Sequence, residues 1–105
     1  MIKEFSLDAV PTFTAKVDIP VPGKKAQKIE FTFRHRPADE FKTFVENISN
    51  YGDDTALVLD VVSGWELQDA FGEENLGKLV KNYLGSARAI VDKYIEQNAG
   101  ARLGN

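Results

Sequence analysis

The sequence predicts an α+β fold, an N-terminal antiparallel β-hairpin followed by a bundle of about four helices. Three observations carry that prediction. From Thr12 to Val21, and again from Ile29 to Arg34, the apolar residues fall at every second position, which lines up one face of a strand. Beyond Pro37 they recur at steps of three and four, which lines up one face of a helix. The 105 residues hold no internal repeat, low-complexity tract or linker, so a single domain is expected over 1–105.

Taken in order, Met1 to Val10 shows no period, and Pro11 closes it. Phe13, Ala15, Val17, Ile19 and Val21 then alternate with Thr12, Thr14, Lys16, Asp18 and Pro20. Pro20 has no amide proton to give a ladder, so this end is an edge or a terminus. Val21-Pro22-Gly23-Lys24 reads as a turn, with Pro fixing φ and Gly free to take a positive one. Ile29, Phe31 and Phe33 form the apolar side of the returning strand. A lone hairpin is marginal in water, so helices, a third strand or another subunit must cover or extend it.

Helices are expected near 38–48, 54–63, 74–84 and 86–98. Phe41, Phe44, Val45 and Ile48 make the stripe of the first, with Asp39 and Glu40 favoured by the dipole in its opening turn. Asp53 or Asp54 caps the second. Its run Ala56 to Val62 is apolar nearly all round, which places it at the centre of the core. That run is rich in β-branched residues and has strand propensity as well. Reading Gly64 as the left-handed residue after a helix end favours the helix, with Trp65 folding back as a buried anchor. Glu73 and Glu74 open the third helix, Gly85 interrupts, and Ser86 caps the fourth. Residues 98–105 are expected to be a loose tail.

Composition excludes several function classes. There is no cysteine and one histidine, so thiolate and poly-histidine metal sites are out. Net charge is −3 with both signs interspersed, which argues against nucleic acid as the main partner. No apolar run reaches the ~18 residues of a membrane span, and residues 1–5 lack a signal peptide's apolar stretch. A soluble intracellular protein is expected. The chain carries no phosphate-binding glycine loop and no nucleophile elbow around Ser63. Arg34-His35-Arg36 reads as solvated charge at a strand end, and Lys24, Lys25 and Lys28 as a solvated turn. Asp53-Asp54 and Glu73-Glu74 read as helix-opening carboxylates. No catalytic residue, cofactor or metal ligand is expected.

A set of short motifs runs through most of the chain. These are Pro20-Val21-Pro22-Gly23, Phe31-Thr32-Phe33-Arg34-His35-Arg36, Val62-Ser63-Gly64-Trp65, Phe71-Gly72-Glu73-Glu74-Asn75-Leu76, Tyr83, Ala87-Arg88-Ala89-Ile90 and Tyr94. In order and spacing they resemble the tail assembly chaperones of long-tailed bacteriophages. The Gly64-Trp65 pair followed by Phe71, Leu76 and Tyr83 is the more specific part, and Gly64, Trp65, Phe71 and Tyr83 are expected as structural anchors. The resemblance implies a non-enzymatic protein of the host cytoplasm that binds the tape measure protein and promotes assembly of tail tube protein around it. It also implies absence from the mature virion. A chaperone for a long, partly apolar partner must expose apolar area or bury it by self-association. The hairpin edge, with Phe13, Val17 and Ile19, and the chain's end, with Tyr94 and Leu103, are the expected contacts with an apolar helical segment of the tape measure protein. The alternative is a minor tail or head–tail joining protein retained in the virion. The resemblance further implies a longer product made by a ribosomal slip, and Leu103-Gly104-Asn105 is compatible with the slippery string G-GGA-AAC.

Overall fold

The computed structural model describes residues 5–100. Its elements are β1 (Thr12–Ile19), β2 (Gln27–Arg34), α1 (Ala38–Glu46), α2 (Asp54–Leu59), β3 (Val62–Trp65), α3 (Glu73–Asn82) and α4 (Ser86–Ala99). A short 3-10 turn, Ile48–Asn50, follows α1. The architecture is α+β, a three-stranded antiparallel sheet in the order β1-β2-β3 with four α-helices among the described residues.

The hairpin forms as the alternation requires. Val17 faces Ile29, Ala15 faces Phe31 and Phe13 faces Phe33, so the apolar residues of both strands share one side. Lys24 N–H closes the turn onto Val21 C=O at 3.0 Å, with Gly23 at φ +73°. That places Pro22 and Gly23 at the two central positions that suit a type II turn. The opposite face carries exposed Thr12, Thr14, Lys16 and Asp18. The helices cover the apolar face alone.

The expected helix 54–63 is two elements. Asp53 is the cap, its side chain accepting from Ala56 N–H at 2.8 Å, but α2 stops at Leu59. Val62 to Trp65 then joins the sheet, with Val62 opposite Phe33, Gly64 opposite Thr32 and Trp65 opposite Phe31. Arg34 N–H to Val61 C=O and Glu66 N–H to Glu30 C=O extend the ladder at both ends. The register shifts between Thr32 and Phe33, the irregularity that admits Ser63. Strand propensity in Val61-Val62 and the open edge of β2 together outweigh helix continuation. Gly64 is therefore a strand residue, and it does not take a positive φ. The third strand is what relieves the hairpin's marginal stability.

Nor is α2 the centre of the core, since Val58 is its one buried residue. The centre is Tyr94 on α4, fully buried. Phe13 and Phe33 stack on its ring at 6.2 and 5.8 Å, and Phe44 meets it edge-on at 5.4 Å. Phe31, Leu76 and Ile90 are fully buried in the same core. In α1 the stripe holds at Phe44, while Val45 stays exposed. The break expected at Leu84-Gly85 is present: α3 ends at Asn82, and α4 begins at Ser86, with Gly85 rather than Ser86 as its N-cap. A Cβ on Gly85 would lie 3.0 Å from the Pro20 ring, so the absence of a side chain lets this turn close against the end of the hairpin. α4 runs to Ala99, and Gly100 ends it in the left-handed conformation at φ +70°. The expected tail contact Leu103 and the string Leu103-Gly104-Asn105 lie outside the described residues.

Candidate functional site

Three surfaces are candidates, and each is built from residues distant in sequence. The first surrounds Arg36. Its guanidinium lies over the Phe44 ring, 4.5 Å from the centroid. Nη1 donates to the Tyr94 hydroxyl and Nη2 to Asp60 C=O, each at 2.9 Å. Nη2 also lies 3.1 Å from the Asp60 carboxylate, which accepts from the Tyr51 hydroxyl. The Arg36 backbone exchanges two bonds with the Asn98 side chain, at 3.0 and 2.9 Å. Arg36 is thus no solvated strand-end charge; its side chain is 14% exposed and ties the end of β2 to α1, α2 and α4.

Burial, followed by the hydrogen bond to the Asp60 carboxylate, pushes the Tyr51 hydroxyl up to about 12. Burial also raises Tyr94, with the Arg36 hydrogen bond and charge acting the other way. Arg36 bonds Tyr94 directly and reaches Tyr51 through the Asp60 carboxylate, which makes a structural clasp. Among the described residues no cluster of His, Asp and Glu is placed to hold a metal ion.

The second surface is the free edge of β1. His35 N–H donates to Pro11 C=O at 2.9 Å, which fixes the phase of the β1–β2 ladder. Antiparallel alternation then turns the peptide groups of Phe13, Ala15, Val17 and Ile19 toward β2. Those of Thr12, Thr14, Lys16 and Asp18 point outward. Among the described residues no other strand pairs with that edge. Half-buried Phe13 and Ala15 line its apolar side, and α4 packs beneath it.

The third surface is a half-open cleft of about 520 Å³ between the hairpin tip, the end of β3 and α3. Ile19, Ile29, Trp65, Leu67, Leu79 and Tyr83 supply its apolar walls. Lys24, Lys25 and Lys78 line it as well, and all three are exposed. Trp65 packs against the core with part of its ring left accessible. Its indole meets Phe71 edge-on at 5.3 Å, and Nε1 donates to Asp69 C=O at 2.8 Å.

A family model described as phage tail assembly chaperone matches residues 1–105. The chain belongs to that family. No curated protein and no solved structure matches it.

Within this tail assembly chaperone the expected contact residues separate. Val17, Ile19 and Tyr94 are 0–1% exposed, so their side chains are committed to the core. Phe13 alone reaches the margin of the β1 edge. Of the expected anchors, Trp65 and Tyr83 meet in the cleft, Phe71 braces Trp65 from outside it, and Gly64 lies in β3 against Thr32. The sequence reading expected Leu67 as a loop anchor but did not bring it, or Lys78, into one cleft with Lys24 and Lys25. The signal was an unsatisfied one, a basic turn flanked by Val21 and Ile29 with nothing local to cover them.

Proposed function

We propose that this chaperone acts during phage or prophage tail morphogenesis in the host cytoplasm. It holds an apolar segment of the tape measure protein, promotes tail tube assembly around it, self-associates, and leaves before the virion is complete. The role is non-enzymatic. The observation that carries the reading is a β1 edge that no other strand pairs with among the described residues, in a member of this family. Four outward peptide groups with an apolar margin at Phe13 and Ala15 suit an added strand, because only another backbone satisfies them in register. The bound stretch is therefore extended at this edge, even if the tape measure protein is helical elsewhere. Main-chain bonds supply affinity there with little demand on sequence, which suits a partner offering many similar segments.

Mass spectrometry of purified virions tests the role. A chaperone is present in lysates of infected or induced cells and missing from finished particles. Stoichiometric recovery from washed virions would instead make it a minor tail or head–tail joining protein.

A further inference from the structure

The described chain begins with an arm that the fold does not use. Phe5, Leu7 and Val10 are 73%, 97% and 74% exposed, and the arm lies outside any helix or strand. Three large apolar side chains within six residues are costly to leave in water. Asp8 lies among them. The cleft is the complement of this arm. Its apolar walls are rimmed by Lys24, Lys25 and Lys78, with Asp69 the one carboxylate in the lining, and among the described residues no ion pair engages those three lysines.

The two surfaces lie at opposite ends of the hairpin. The arm departs at Pro11, tied to His35, while the cleft opens at Ile19 and Lys24. Leu7 is four residues before Pro11, a reach of about 14 Å at full extension. The eight residues from Pro11 to Ile19 span roughly 26 Å of strand. Leu7 cannot be delivered to the hairpin-tip end of its own cleft.

We infer that the arm of one copy, led by Phe5 and Leu7, docks in the Trp65–Tyr83 cleft of a second copy, with Asp8 facing the lysines. The contact is head-to-tail, since each copy offers a different surface, so it propagates to rings or open chains rather than stopping at a two-fold dimer. The inference rests on the self-association in the proposed function and names the surfaces that carry it. It leaves the β1 edge of every copy free for the tape measure protein.

Complementation in the analytical ultracentrifuge tests this. Two variants are made, one beginning at residue 11 and so lacking the arm, the other carrying Lys24→Glu and Lys78→Glu. Neither change touches the core, and unchanged far-UV circular dichroism confirms folding. The full chain is expected to exceed its 11.7 kDa monomer mass increasingly with concentration. Each variant alone is expected to stay monomeric where the full chain associates, the contact being weakened at least about tenfold by loss of the buried Phe and Leu in one and by reversed charge against Asp8 in the other. Mixed, the two form a 1:1 dimer, because one retains the cleft and the other the arm. Trp65, the sole tryptophan, reports occupancy by a blue shift in emission. If the full chain associates and the arm-less chain does so equally, the arm–cleft contact is wrong while self-association stands. A full chain that stays monomeric at high concentration overturns both. A Trp65 shift seen only when tape measure protein is added would assign the cleft to that partner and overturn the inference.

Discussion

Arg36→Ala is expected to cost about 3.5–5 kcal/mol of folding stability, assembled from bonds of charged donors at ~1.5 kcal/mol or more each, a weaker ion pair and a cation–π contact. The substitution removes the Nη1 bond to Tyr94 and the Nη2 bond to Asp60 C=O, both 2.9 Å. The lower end of the range applies to each, because the vacated volume opens toward solvent and admits water. The Asp60 carboxylate is 47% exposed, so its pairing with Arg36 adds less than about 1 kcal/mol. The guanidinium over Phe44 contributes about 0.5–1 kcal/mol more. Against the ~5–15 kcal/mol that holds a domain of this size together, the loss is a large fraction. Arg36→Lys should recover less than half, since an ammonium cannot reach Tyr94 and Asp60 in fork geometry. Urea denaturation followed by circular dichroism reads both variants, and the cycle with Tyr94→Phe isolates the shared bond. A loss below about 1 kcal/mol for Arg36→Ala would refute the clasp, because that is the scale of a surface substitution.

Three further outcomes follow from the same geometry. Trp65→Ala should cost about 2–3 kcal/mol in the same denaturation assay, below the ~3–5 of a fully enclosed tryptophan, because one side of the ring faces the cleft. Gly85→Ala should destabilise by about 1 kcal/mol in thermal melts, since the Pro20 ring is rigid and the overlap outweighs the gain from a stiffer unfolded chain. The raised Tyr51 value has a sign that can be worked out: the folded state holds the proton more tightly than the unfolded chain near pH 10. Stability from this group is complete below pH 10 and drains between about 10 and 12, and Tyr51→Phe should flatten that part of the pH profile.

The hairpin was legible because alternation over eight residues in each strand, closed by Pro22-Gly23, leaves one register that keeps all apolar side chains on one face. Strand β3 was not, because four residues are too few to show a period, and its partner is the β2 edge some thirty residues earlier. Val61 and Val62 carried the strand propensity, but Gly64 read as a helix stop gave the wrong weighting. Arg36 was taken for solvent charge because its partners lie 24 residues away at Asp60 and 58 at Tyr94, beyond any local pattern. The contact surfaces were half legible for the same reason. Alternation identified β1, but which of its peptide groups face outward depends on the phase set by His35 and Pro11.

The central claim is that the β1 edge takes up the tape measure protein, and Thr14→Pro measures it most directly. Thr14 turns its amide outward and its side chain to the polar face, so proline there removes an edge donor without breaking a bond to β2. The chaperone, wild type or variant, is co-expressed with the tape measure protein, and soluble tape measure protein co-purifying with the chaperone is quantified. The account predicts capture by the wild type and loss of most of it with Thr14→Pro, at unchanged circular dichroism. Equal capture by the folded variant would contradict it.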